Sequence, residues 1–246
     1  MTGLPDIGIK PYYSDKWRAI YHGDCQEILT LLPKSSFDLL LTDPPYGVSY
    51  QSNARLVQMS RIAGDESTDV AVSGVSLALG CLRNNRHLYV FGRIPLDKLP
   101  ITAPVELIWD KGSPSKGNME ITYGLSHEYI QFSTYVPSKA NRGRGDGRLA
   151  ARLRRGSVLR CPRLNSRAVS AHPTEKPIPL LRELIESSSL FGEIVLDPFA
   201  GSGTTLLAAT LEGRFSVGIE LEEKYCEIAA ERCAADTVER IQKGEY

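Results

Sequence analysis

The stretch Leu39-Leu40-Leu41-Thr42-Asp43-Pro44-Pro45-Tyr46-Gly47 decides how the rest of the sequence reads. From Phe37 to Thr42 there is no sustained polar alternation. This is the pattern of a strand buried on both faces, as in a parallel sheet with helices on each side. The strand has to stop at Asp43. Pro44 has no N–H for a ladder and Pro45 fixes φ again, so the Asp43 carboxylate and the Pro44 carbonyl are held at the sheet's C-terminal edge. Open α/β sheets bind ligands at that edge.

An acid, two prolines and an aromatic at such an edge suit one kind of chemistry, attack by the exocyclic amino group of a base. The lone pair of that nitrogen is delocalised into the ring, so it is a poor nucleophile until acceptors hold its two N–H bonds. The Asp43 carboxylate and the Pro44 carbonyl can be those acceptors, Pro45 keeps the turn rigid, and Tyr46 can stack on the base. Taken alone, the tetrapeptide fits equally well a strand end with a Pro-Pro turn and a half-buried Tyr.

A second anchor lies at Glu193-Ile194-Val195-Leu196-Asp197-Pro198-Phe199-Ala200-Gly201-Ser202-Gly203-Thr204-Thr205. Here a strand runs into a glycine turn and then a helix, Thr204 to Glu212, stopped by Gly213. Gly201 and Gly203 let the backbone approach a ligand closely, and the helix N-terminus offers free N–H groups to an anion. A dinucleotide fingerprint would need a third glycine where Leu206 stands, and a Walker loop would need Gly-Lys-Thr. Phe215 to Ile219 reads as the next strand and ends at Glu220, 23 residues after Asp197. That spacing suits a carboxylate that grips ribose hydroxyls.

Near the start, Trp17 to Gly23 alternates as a strand, and Gly23-Asp24-Cys25 turns into a helix over Gln26 to Leu32. Asp24 fits an N-cap or a ligand acceptor, and the local pattern favours the cap. Val48 to Asp69 is a polar, Ser-rich stretch with no sustained period, long enough to read as a lid. A helix over Val70 to Leu82 precedes strands at His87 to Phe91, Val105 to Trp109 and Glu128 to Phe132. His127 at a strand start reads as structural. His172-Pro173-Thr174-Glu175-Lys176-Pro177 leads into an amphipathic helix over Ile178 to Leu190, and another spans Glu222 to about Ile241.

Composition bounds the rest. The 246 residues, 42% of them hydrophobic, suit one α/β domain, 1–246, with an insertion. No signal peptide or membrane span is indicated, so a cytoplasmic protein is expected. The five cysteines are scattered, with no Cys-x-x-Cys pair, which argues against a disulfide framework and against a zinc site; no metal is expected. A net charge of zero hides an asymmetry: residues 137–168 carry ten Lys or Arg against one acid. Nine of the ten are Arg, including Arg142, Arg144, Arg148, Arg152, Arg154, Arg155 and Arg160. Such a basic insert is the sequence footprint of a polyanion-binding surface, while Asn141 to Gly147 fits a solvated loop.

The two anchors resemble motifs IV and I of the amino-group DNA methyltransferases. The Asp-Pro-Pro-Tyr form is similar to the adenine N6 branch, whereas the cytosine N4 branch tends to begin with Ser. The hexapeptide at His172 resembles motif X. Donor motifs at both ends, the catalytic motif between them and a basic insert before motif X match the circularly permuted beta group. The resemblance covers residues 17–240 apart from the insert. It implies a Rossmann-like methyltransferase fold, with a mostly parallel seven-stranded sheet, one antiparallel strand and helices on both faces.

It also implies S-adenosyl-L-methionine as methyl donor and an adenine flipped out of duplex DNA as acceptor, in a bacterial cell or a phage-infected one. Asp43, Pro44, Pro45 and Tyr46 are then the catalytic set. Cofactor contacts are expected from Asp24 and Cys25, from Asp43, from the run Asp197, Pro198, Phe199, Ala200, Gly201, Ser202, Gly203, Thr204 and Thr205, and from Glu220. Lys176 is expected near the methionine carboxylate. Alternatives from the same scaffold are cytosine N4 or RNA as substrate; from another class, a non-catalytic DNA-binding protein, which would be expected to have lost Asp43 or the glycines. An insert this short goes with a short recognition site or with help from a second subunit, as in a homodimer. Neither the recognition site nor a companion restriction endonuclease is written in it.

Overall fold

A computed structural model of the chain describes residues 3–45, 68–113, 124–138, 155–162 and 175–242. Tyr46, positions 48–67 of the candidate lid, His172 to Thr174 and Arg142, Arg144, Arg148, Arg152 and Arg154 of the insert lie outside the described residues.

The strands are β1 (Tyr13–Ser14), β2 (Arg18–His22), β3 (Phe37–Thr42), β4 (Leu82–Phe91), β5 (Val105–Asp110), β6 (His127–Thr134), β7 (Val158–Arg160), β8 (Ile194–Asp197) and β9 (Phe215–Glu220). The helices are α1 (Cys25–Leu31), α2 (Asp69–Cys81), α3 (Ile178–Ser188), α4 (Thr204–Leu211) and α5 (Glu223–Gln242). One sheet orders the strands β1-β2-β9-β8-β3-β4-β6-β5-β7. The seven from β2 to β5 are the sheet expected from the resemblance, with β6 antiparallel to both neighbours. Among the described residues two short edge strands flank these seven. Two-residue β1 runs antiparallel to β2 and three-residue β7 parallel to β5, and both are too short to carry a hydrophobic period.

Every residue of β3 is buried, as a strand between two helical layers requires. Leu40 faces a core shared with α1 and α2, through Ile28, Leu29, Val75 and Leu79. Leu39 and Leu41 face the opposite core, with Leu180, Leu184 and Ile185 of α3 and Ala208 and Ala209 of α4. A third core packs α5 on β2 and α4 through Ile20, Leu206, Cys226 and Ala229.

The chain's order breaks between α5 and β2, and a buried ion pair spans the break. Arg18 Nη1 lies 2.9 Å from Asp236 of α5, Nη2 donates to the Cys233 carbonyl, and Nε bonds Asp15 at 2.9 Å. Side-chain contacts thereby hold the first parallel strand against the last helix, where an unpermuted chain would use a covalent loop. β8 and β3 are neighbours whose chains leave in opposite directions, β8 to β9 through α4 and β3 to β4 through α2. This is the topological switch point, where a crevice opens beyond the strand ends.

Candidate active site

Asp197 ends β8, and Asp43 follows Thr42, the last residue of β3. The Thr42 hydroxyl donates to Asp197 Oδ1 at 2.8 Å, so the two strand ends are fixed to each other. Phe199 N and the Thr205 hydroxyl also donate to this carboxylate. All these partners are neutral. Burial therefore dominates and pushes the Asp197 carboxyl up to about 6.

The glycine turn follows. Gly203 caps α4 with φ 77, and a Cβ there would come within 2.9 Å of Ala229 Cβ. Gly201 has φ 51 and nothing within 4 Å of where its Cβ would stand, so the turn opens onto free space at the helix N-terminus. Glu220 at the end of β9 accepts from Gly201 N at 2.8 Å and from Glu222 N at 2.8 Å. Its carboxyl too is raised, mainly by burial. Pro198 and Ala200 are buried beneath the turn. The Phe199 ring packs where a Cβ on Gly74 of α2 would come within 2.7 Å, so only glycine leaves it room.

Arg232 of α5 braces this turn from behind. It donates to the Ser202 carbonyl at 2.6 Å, to Ser202 Oγ at 2.8 Å and to Thr204 Oγ1 at 3.2 Å, and it pairs with Glu175. No motif in the sequence points to it. Its one signal is position, three residues after core-facing Ala229, where a helix of this pattern seldom spends an arginine.

Asp24 is the N-cap of α1, with Oδ1 accepting from Gln26 N at 2.8 Å. The local preference for a cap is what the backbone shows. Cys25 begins the helix and points into the core, where burial pushes its thiol up to about 12. Lys176 Nζ lies 2.6 Å from Asp43 Oδ2, where β3 and the segment before α3 converge. Of the basic insert, Arg155 turns back onto α3, pairing with Glu183 at 3.3 Å and with Glu186. Arg160 on β7 is 83% exposed, its Nε 3.8 Å from Asp110.

The arrangement puts the glycine turn and two acids that have no cation partner among the described residues beside a carboxylate at the next strand end. Residues 37–231 match a family model described as DNA methylase, of the N6/N4 methyltransferases. The chain belongs to that family. It is 30% identical over 263 residues to the type II methyltransferase M.ScaI of Streptomyces caespitosus, covering 92% of this chain and 84% of that one. In fold it is similar to the M1.HpyAVI methyltransferase solved as a SAM complex, with TM-score 0.61, 22% identity, and 87% of this chain and 99% of that chain covered. It is also similar to the PvuII DNA methyltransferase, titled cytosine-N4-specific, with TM-score 0.68, 19% identity and 98% of each chain covered. The chain keeps Asp43, Gly201 and Gly203, which a non-catalytic copy of this scaffold would be expected to have lost. Among the described residues no helix is long and apolar enough to cross a membrane.

Proposed function

We propose that the protein transfers a methyl group from S-adenosyl-L-methionine to the exocyclic N6 of an adenine flipped out of duplex DNA. One observation carries this above the others: the acceptor carboxylate Asp43 and the donor-side carboxylate Asp197 stand at adjacent strand ends, tied through Thr42 at 2.8 Å. The donor fits the crevice by charge. Asp197 and Glu220 are acids without a cation among the described residues, and S-adenosylmethionine brings a sulfonium and an ammonium. Asp197 would hold its amino acid end, the open turn at Gly201 its carboxylate, and Glu220 its ribose hydroxyls. The donor supplies an activated methyl on a positive sulfur.

The protein's own groups do the rest by placement. Asp43 and the Pro44 carbonyl accept the two amino N–H bonds and pull the nitrogen towards a tetrahedral shape. Tyr46 is the candidate stacking surface. Adenine is favoured over cytosine by Asp43 at the head of the motif. Residues 137–168 are the candidate recognition insert and 48–69 the candidate lid of a single domain, and exposed Arg160 supports a phosphate contact there. Its type II relatives favour a restriction-modification setting, in a bacterial cytoplasm, with a short site read by one copy or by a homodimer.

The test is mixed-sequence duplex DNA incubated with the protein and labelled S-adenosylmethionine, digested to nucleosides and resolved by mass spectrometry. Labelled N6-methyladenine is the expected product. Labelled N4-methylcytosine would overturn the base, and no label in DNA despite donor binding would overturn DNA methylation and leave RNA or a binding role.

A further inference from the structure

Four charged side chains of alternating sign form a chain that starts at Asp43. Lys176 Nζ lies 2.6 Å from Asp43 Oδ2 and 3.3 Å from Glu128 Oε2. Glu128 turns its other oxygen, Oε1, to Lys111 Nζ. Both lysines are buried, while the side chains of Asp43 and Glu128 are 27% and 30% exposed. Each ammonium also rests 5.0 Å from an aromatic centroid, Lys176 at Phe91 and Lys111 at Trp109.

The chain is assembled by sheet register. β5 and β6 pair Trp109 with Glu128, and Lys111 N bonds the Ser126 carbonyl at 2.8 Å. Gln131 is level with Thr42 through Val90, so Glu128, three residues earlier on this antiparallel strand, stands just beyond the C-terminal end of β3. A buried ammonium without counter-charge is costly, and two close together more so. Glu128 is the common counter-ion of both. With it in place, Lys176 is held from two sides. Its bond to Oδ2 then fixes the rotation of the Asp43 carboxylate before a base arrives.

We infer that Glu128 is a positioning residue for methyl transfer: by clamping Lys176 between two carboxylates, it sets the orientation of the Asp43 acceptor. This role presupposes the amino-group methylation proposed above. Neither Glu128 nor Lys111 has a part in holding the donor.

The groups facing Lys176 are Asp43 beyond β3, Glu128 of β6 and the Phe91 ring of β4. Lys111 stands behind Glu128, and Asp197 of β8 is within electrostatic reach of Asp43. Burial pulls the Lys176 pKa down, and the two carboxylates more than offset it, so the net shift is upward. Loss of the Glu128 charge makes Lys176 easier to deprotonate.

The deciding experiment compares the parent with Glu128→Gln and with the double variant Glu128→Gln/Lys111→Met. Each is measured for steady-state methylation of duplex DNA, donor Kd, melting temperature and the pH profile of kcat. Glu128→Gln should lower kcat by ~10-fold or more, with donor Kd and the KM for DNA within ~3-fold of the parent. Its kcat should also begin to fall at lower pH on the alkaline side. The double variant also removes one of the two buried ammonium charges that Glu128 balances, so it should regain melting temperature but not kcat. It carries the same test should the single variant fail to fold.

An active parent with kcat unchanged in Glu128→Gln would overturn Glu128's role alone. So would kcat restored along with stability in the double variant, since Glu128 would then only balance charge. A parent that binds the donor and methylates no DNA base would overturn both this role and the proposed function.

Discussion

The two halves of the crevice solve opposite electrostatic problems. On the donor half, Asp197 and Glu220 are held, among the described residues, by hydroxyl and backbone N–H donors, and burial raises the pKa of both. On the acceptor half, carboxylates and ammonium groups alternate, and Glu128 is held below the usual carboxylate range by Lys176 and Lys111 despite its burial. Each half matches what it is proposed to receive. A cationic donor completes the first, whereas a neutral base enters the second, which is already balanced. Leaving acids uncompensated costs stability, and the donor recovers that cost on binding.

Disabling the acceptor half should have the greatest consequence. Asp43→Ala should lower kcat ~10³-fold, while isothermal titration finds donor Kd within ~3-fold of the parent. Loss of donor binding in this variant would erase the distinction between the halves. Glu220→Ala should do the reverse, raising donor Kd by roughly 10- to 100-fold because the ribose loses its acceptor and Gly201 N its partner. Equilibrium dialysis with labelled donor reads it directly.

A pH titration tests the contrast without mutation. The Asp197 carboxyl sits at about 6 in the free protein, and a bound cation favours its ionised form. Donor Kd should therefore be flat above pH ~7 and rise by up to ~10-fold per pH unit below about 6. At saturating donor, kcat should be far less sensitive over that range. A donor affinity that does not change between pH ~7.5 and ~5 would mean that Asp197 does not face the donor's positive end.

A more modest effect concerns stability. A folded-state pKa of about 6 against an ordinary value of 3.8 means that the folded state prefers the protonated acid. The Asp197 contribution thus turns unfavourable as pH rises through that window, and the cost is complete above it. Asp197→Asn should stabilise the protein at pH ~8 by on the order of 1 kcal/mol, relative to its effect at pH ~4, while weakening the donor. Urea unfolding at the two pH values checks the sign.

Features that depend on a few neighbouring residues are legible in the chain itself. The unbroken apolar run into Asp43-Pro44-Pro45 and the glycine turn after Asp197 each fix backbone geometry within a short span. The strands therefore end at Thr42 and Asp197, and α4 starts at Thr204, as those residue types require. Asp24 shows the same in miniature, since a cap depends only on its own next two residues.

The doubly covered sheet, the two strand-end acids and the permuted order of the elements around them are thus written in the chain. How charges pair across that order is not. Lys176 reaches Asp43 over 133 positions of chain, and Glu128 meets Lys111 over 17 through hairpin register. Arg232 braces the glycine turn from a helix 30 residues away. Helical and strand periods are set by neighbours in the chain, whereas an ion pair depends on sheet order and register, which no single segment encodes. For that reason the motif around Lys176 marks a helix entry in the sequence, while only the folded sheet brings its ammonium to Asp43.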